Sequence, residues 1–303
     1  GGAAATTADH SRIGSVTKTF VATEILKLVD AGKLGLNDTL GSLMPSLAKK
    51  YPYIKNVTVA KMLGMRSGIP DYTEVPGVMV DAYMHPEKNW TAAQLIDIGL
   101  ASANKLGPAN YSNTNYLLLG EIAKQITGKS IFSLVNANVA KLKMKQTKLP
   151  APGQIAMPAP FSHGYTYTMG SASLKAAGLD VPIGDERKDD VTKWGQAAGS
   201  MYSTVADLGK WAATGLGTSE LSPALAKKRL DVKPISGGFI KYGYGMESFG
   251  GDWIGHDGQA IGWESRVAYN TKTGAAIVIL VNETGSLRTV LKYVQDYTSG
   301  MTS

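Results

Sequence analysis

Apolar residues at Val16, Phe20, Val21, Ile25, Leu28 and Val29 recur at helical spacing, and Gly32 follows them as a C-terminal stop, so the pattern predicts a helix over Val16 to Ala31. Similar periodicity predicts helices from Val57 to Leu63, capped near Thr58, and from Thr91 to Ala103, with Thr91 as N-cap. Others are expected from about Thr114 to Thr127, stopped by Gly128, from Val205 to Trp211 behind a Ser203-Thr204 cap, and over Leu221 to Leu230. From Tyr242 onward the period changes from 3.6 to 2. Tyr242 to Glu247, Trp253 to His256, Trp263 to Tyr269 and Ala275 to Val281 read as strands, with Asn270 to Gly274 as a hairpin loop. A last helix is expected from Leu287 to about Tyr297. Residues 1 to 10 read as a frayed lead-in. Residues 145 to 195, rich in Pro, Gly and Ala, read as long loops over a cleft.

Helices in the middle and an antiparallel meander near the end give an α+β class, an antiparallel sheet flanked by helices plus an all-helical part. The organisation expected is one catalytic domain over 1–303. Its helical subdomain covers about 37–195, and its sheet subdomain is formed by about 1–36 and 196–303.

Composition narrows the chemistry. The 303 residues include no cysteine, which excludes thiol catalysis, disulfides and Cys-ligated zinc. The four histidines form no His-x-x-x-His pair, so no metal is expected. No apolar run reaches the roughly 20 residues needed to span a bilayer. The charge of +7 comes from scattered lysines without aromatic interleaving, so no nucleic-acid partner is expected. Attraction to anionic cell-wall polymers is compatible with that charge. The lack of a signal peptide leaves a processed, exported chain or a cytoplasmic one.

Three short motifs carry candidate chemistry. In Gly14-Ser15-Val16-Thr17-Lys18, a hydroxyl and an amine stand one helical turn apart at the positive end of a helix dipole. A buried lysine with a lowered pKa can take the serine proton, and Ser15 can then attack a carbonyl. The bland reading is a helix-start serine and a solvated lysine. In Tyr111-Ser112-Asn113, the phenol can shuttle protons and the amide can hold a substrate carbonyl while touching Lys18. The alternative is a helix cap and a packed tyrosine. In His256-Asp257-Gly258, the glycine lets a substrate backbone approach a strand closely, and the N–H of Gln259 can pair with that of Ser15 as an oxyanion hole. The alternative is a turn with a packed histidine. A fourth triplet, Lys272-Thr273-Gly274, matches a motif of Ser-x-x-Lys enzymes. It falls in a predicted hairpin loop, and His256-Asp257-Gly258 is preferred.

Taken in this order, the motifs resemble the serine β-lactamase and penicillin-binding-protein superfamily, in its branch of class C β-lactamases, DD-peptidases, D-aminopeptidases and esterases. Arg12 to Phe20 is similar to the nucleophile segment, Leu63 to Tyr72 to the Ser-Gly-Ile-Pro-Asp-Tyr loop, and Tyr111-Ser112-Asn113 to the Tyr-x-Asn motif. Ala198 to Thr204, which precedes an Asp207-bearing helix, Tyr242-Gly243-Tyr244-Gly245 and Gly255 to Gly258 match later segments.

The resemblance implies Ser15 as acylated nucleophile and Lys18 with Tyr111 as general base and acid. It implies Asn113, Asp257 and Gly258 at the substrate, and the N–H groups of Ser15 and Gln259 as oxyanion hole. His256 would stand where other members carry a lysine, tuning Tyr111 electrostatically. No cofactor is implied. The substrate would be a small molecule or peptide bearing an amide or ester, such as a D-amino-acid peptide. The alternatives are a promiscuous esterase or weak β-lactamase, or a penicillin- or peptidoglycan-binding protein with little turnover.

Three departures stand out. Met65 stands where a histidine is common, at a structural position of little consequence for the chemistry. Asp257 and Glu247 would repel a substrate carboxylate by about a kcal/mol or more, favouring a neutral or cationic substrate. The chain also starts close to Ser15, without the helix and two strands that usually precede it, which would leave a sheet edge open.

Overall fold

The computed structural model describes residues 4–154, 156–166, 186–187 and 193–292. A six-stranded antiparallel sheet runs β10-β9-β8-β7-β6-β5. Its strands are β5 (Lys233–Ile235), β6 (Ile240–Tyr242), β7 (Glu247–Gly250), β8 (Trp253–Ala260), β9 (Trp263–Asn270) and β10 (Ala276–Val281). Short strands form two accessory sheets: β1 (Ser11–Arg12) with β4 (Tyr202–Ser203), and β2 (Gly164–Thr166) between β3 (Glu186–Arg187) and β11 (Glu283–Thr284). The helices are α1 (Thr17–Asp30), α2 (Leu40–Leu43), α3 (Pro45–Lys50), α4 (Val59–Leu63), α5 (Val78–Met84), α6 (Ala92–Ala101), α7 (Thr114–Thr127) and α8 (Ile131–Lys141). Short helices follow at Gln196–Gly199, Val205–Trp211 and Pro223–Arg229.

The central element is α1. Val16, Phe20, Val21, Ile25 and Leu26 are fully buried in one cluster with residues of α4, α6, α7 and the sheet. Phe20 stacks on Trp211 at 3.8 Å between ring centroids, and the indole N–H of Trp211 donates to Thr19 Oγ1 at 2.7 Å. Arg229, also fully buried, ties α1 to the sheet. It donates to Thr23 Oγ1 and to the carbonyls of Thr19, Gly215 and Tyr244. Four acceptors for one guanidinium make its burial tolerable.

Local signals hold well. Thr58, Thr91 and Thr204 cap their helices, Thr91 with a full capping box to Gln94. Gly32 closes α1 with a positive φ of 66° while Lys33 N–H reaches back to Leu28 O, and Gly128 ends α7 at φ 70°.

Several expectations need correction. The first turn is not α-helical: Gly14–Val16 is a 3-10 turn, and α1 starts at Thr17. The expected strand from Tyr242 to Glu247 is broken by a turn at residues 243–246, which joins β6 to β7 and carries Gly245 at a φ of +73°. A Cβ there would lie 2.3 Å from Ala22 Cβ, so the turn packs straight onto α1 behind Lys18. The strand expected to stop at His256 continues to Ala260, and His256-Asp257-Gly258 is therefore paired strand, opposite Val267, Arg266 and Ser265. Of the predicted loop over 145–195, residues 155, 167–185 and 188–192 lie outside the described residues, as does the last helix beyond residue 292. Strand β10 ends the sheet, and its apolar residues from Ile277 to Val281 are half-exposed.

Candidate active site

The site begins with two glycines. Gly14 has a φ of +47°, and a Cβ on it would fall 2.4 Å from Gln259 N. A Cβ on Gly258 would fall 2.0 Å from Ile13 O. With both side chains absent, the Gly14–Val16 turn lies backbone against backbone on β8. Ser265, opposite Gly258 in β9, locks this seat by donating to Ile13 O at 2.9 Å. The main chains of Ser15 and Gln259 thus adjoin.

Lys18 is fully buried in the first turn of α1. Its Nζ lies 2.8 Å from Ser15 Oγ, 2.7 Å from Asn113 Oδ1 and 2.7 Å from the Ala198 carbonyl. A neutral amine has two N–H bonds and one lone pair. Asn113 and Ala198 offer only acceptors, so they take the two hydrogens and leave the lone pair for the Ser15 hydroxyl. Burial pulls the Lys18 pKa down to about 7, against the opposing pull of Asp71 and then Glu247.

Asn113 is turned by its neighbours. It sits at the N-cap position of α7 but makes no side-chain capping bond. Its Nδ2 donates instead to Asp71 Oδ2 at 2.9 Å and to Thr73 Oγ1 at 3.3 Å, which leaves Oδ1 for Lys18. Asp71 is nearly buried and also accepts from Thr73 N at 3.1 Å, and burial raises its pKa. Thr114 and Ser112 hold the loop in place through Pro70 O. Both amide hydrogens of Asn113 are therefore engaged with protein groups.

The Tyr111 ring lies under Lys18, with Nζ 4.9 Å from its centroid. Its hydroxyl is out of solvent without a well-formed hydrogen bond, and Ser15 is the side chain close enough to favour its ionised form. Burial dominates and raises its pKa well above the ordinary phenol value. His256 packs edge-on to Tyr111 at 6.1 Å but bonds elsewhere. Its Nδ1 donates to Asp257 O at 2.5 Å, so Nε2 is the acceptor and takes the Tyr242 hydroxyl at 2.8 Å. Burial, followed by the Lys18 charge, lowers its pKa to about 3. The imidazole is thus neutral and presents Tyr111 with a dipole, not a cation.

A cavity of about 770 Å³ opens over Ser15, Tyr111, His256, Asp257, Gly258 and Gln259, with Glu247 and Arg266 in its wall. Asp257 is held bidentately by Arg266, at 2.5 Å for both bonds, and the guanidinium lies over Phe249 at 4.1 Å. The expectation that Asp257 repels a substrate carboxylate is corrected accordingly: its charge is matched. Lys272 lies exposed in the β9–β10 hairpin and does not line the cavity. A larger groove of about 830 Å³ is lined by Ser46 and Lys50, but that lysine is exposed and paired with Asp97 rather than buried against the serine, so size alone does not mark the site. Among the described residues, no group of His, Asp or Glu could hold a metal ion, and no helix is long and apolar enough to cross a membrane.

Comparison with known proteins identifies the family. The family model described as Beta-lactamase matches residues 1–296. The chain belongs to the beta-lactamase family. Curated relatives of this beta-lactamase-family chain include penicillin-binding protein 4 of Amycolatopsis lactamdurans, 31% identical over 134 residues, which is 43% of this chain and 33% of that protein. Protein flp of Staphylococcus aureus is 32% identical over 139 residues, 45% of this chain and 27% of that protein. The match spans a third or less of these relatives' length.

Among solved structures, the D-stereospecific amidohydrolase from Streptomyces sp. is 26% identical, with a TM-score of 0.79, over 91% of this chain and 82% of that one. The D-amino acid amidase from Ochrobactrum anthropi SV3 is 25% identical, with a TM-score of 0.82, over 99% and 87%. One residue of this beta-lactamase-family chain escaped assignment from sequence: Asp71, which orients Asn113; Glu247, expected beside the substrate, does face the cavity from β7. Asp71 lies 42 residues from Asn113, and no local pattern announces the pairing.

Proposed function

We propose that the chain is a serine hydrolase that opens an amide through an acyl-enzyme on Ser15, with amides of D-amino acids as its substrate class. The observation that carries this reading is the amine of Lys18, buried, shifted to about 7 and 2.8 Å from Ser15 Oγ. Neutral Lys18 takes the hydroxyl proton as Oγ attacks the scissile carbonyl. The backbone N–H groups of Ser15 and Gln259 receive the developing oxyanion.

Tyr111 stays a phenol at neutral pH, so it serves as the acid. It gives its proton to the leaving nitrogen and is reprotonated from the Lys18 ammonium. Water then attacks the ester, and the same groups return a proton to Ser15. The choice of D-amino-acid amides is supported by the two amidase-type neighbours, which align with more than nine-tenths of the chain.

The test is hydrolysis of D- and L-phenylalaninamide and p-nitrophenyl butyrate, with intact-mass analysis after exposure to a penicillin. Turnover of the D-amide, lost in Ser15→Ala, is expected. A stable penicilloyl adduct without amide turnover would instead favour a penicillin-binding role. Full activity in Ser15→Ala overturns the proposal.

A further inference from the structure

Three carboxylates line the cavity over Ser15: Glu247, Asp257 and Glu264. Two have donors. Asp257 is clasped by Arg266, and Glu264 accepts the N–H of Leu287 at 2.8 Å. Glu247 differs. Its side chain is only 16% exposed, yet among the described residues nothing donates a hydrogen bond to it. The nearest ring nitrogen, His256 Nδ1, is 3.6 Å away, and its hydrogen is committed to Asp257 O. A carboxylate largely removed from water without a donor is costly, so such a group takes up either a proton or a cation.

We propose that Glu247 is the seat for the α-ammonium of the substrate, so that the enzyme selects amino-acid amides with a free amine over N-acylated ones. This deepens the function proposed above and rests on it. An ammonium supplies both the missing donors and the missing charge, in a cavity that also holds the nucleophile.

The surrounding field is consistent with one extra cation. Burial and Asp257 push the Glu247 pKa up to about 8, against Arg266 and Lys18. His256 is neutral, Tyr111 and Tyr242 beside it stay protonated, and Arg288 and Glu264 contribute one charge of each sign to the cavity wall. Without a cation, Glu247 holds a proton at neutral pH. Binding of an ammonium then expels that proton, so the selectivity falls as pH drops below 8, by up to tenfold per unit.

The test separates binding from turnover. Equilibrium binding of D-phenylalaninamide and N-acetyl-D-phenylalaninamide is measured on Ser15→Ala at pH 8 and pH 6, with and without Glu247→Gln or Glu247→Asp. The free amine is expected to bind at least tenfold tighter at pH 8. That ratio should collapse in Glu247→Gln, recover in part in Glu247→Asp, and shrink at pH 6. Equal binding of the two ligands, or a ratio untouched by Glu247→Gln, overturns the inference whatever the wild-type enzyme hydrolyses. A retained ratio in a protein whose wild type cleaves no amide leaves the inference standing and removes the proposed function instead.

Discussion

Asp71 reaches Lys18 through one amide: Asn113 donates to Asp71 Oδ2 at 2.9 Å and accepts from Lys18 Nζ at 2.7 Å. The carboxylate thus decides which end of Asn113 faces the amine. It also raises the Lys18 pKa against the effect of burial. Asp71→Asn removes the charge but keeps an acceptor, so the pH limb assigned to Lys18 should move to lower pH with the maximal rate largely kept. Asp71→Ala also frees Asn113 to turn, and acylation should fall on the order of 10- to 100-fold. Identical pH–rate profiles for wild type and Asp71→Asn would remove Asp71 from the account.

Lys18 is a buried amine with no carboxylate in direct contact among the described residues. Lys18→Met keeps its length and removes its desolvation cost. Acylation should drop by about 10²–10⁴-fold, while the thermal midpoint should hold or rise. A variant that unfolds would show the lysine to be chiefly structural.

In the proposed mechanism the active form of Lys18 is the neutral one, which accumulates as pH rises through about 7. The acylation rate should therefore climb from pH 6 to 8 and level off above. Stopped-flow measurement with an activated ester reads this directly, and a profile flat across that window contradicts the assignment.

Glu247 titrates in the opposite sense for stability. Its folded pKa, about 8, lies above its ordinary value of 4.5. The protonated form favours the fold, so this contribution is complete below about 4.5 and is lost as pH rises to about 8. Glu247→Gln, which keeps the neutral shape, should gain in urea midpoint relative to wild type across that window and then stay level. A constant difference from pH 5 to 9 would mean that Glu247 is ionised throughout.

Gly258→Ala places a methyl 2.0 Å from Ile13 O. It should cost about 1–3 kcal/mol of stability and lower acylation by displacing the turn that bears Ser15. Gly209→Ala, in the Val205–Trp211 helix with no atom within 4 Å of the new Cβ, should be neutral or stabilising. Comparing the two thermal midpoints and acylation rates checks the pair.

Much of the fold was legible because its helices carry local punctuation: Thr91 with Gln94, Thr204, and the glycines at 32 and 128. The serine, lysine, tyrosine and histidine of the site were likewise readable from short motifs. What escaped was set by distance along the chain. Gly245 looked like a strand residue, yet its backbone is left-handed there and a Cβ on it would meet Ala22 of α1. Asp257 looked like a free charge until Arg266, its partner across the β8–β9 ladder, neutralised it. The protonation states of Lys18, Glu247 and His256 come from burial, which no spacing of residues encodes.

The contact of Gly14 with Gln259 has an evolutionary and practical corollary. Since the turn bearing Ser15, the proposed nucleophile, is anchored by main-chain atoms, the side chains around the rim can change without moving it. Swapping Glu247, Ile240 or Arg288 should retune which ligands the cavity accepts while the proposed acyl-transfer groups stay in register, which makes this rim a natural place to redirect selectivity.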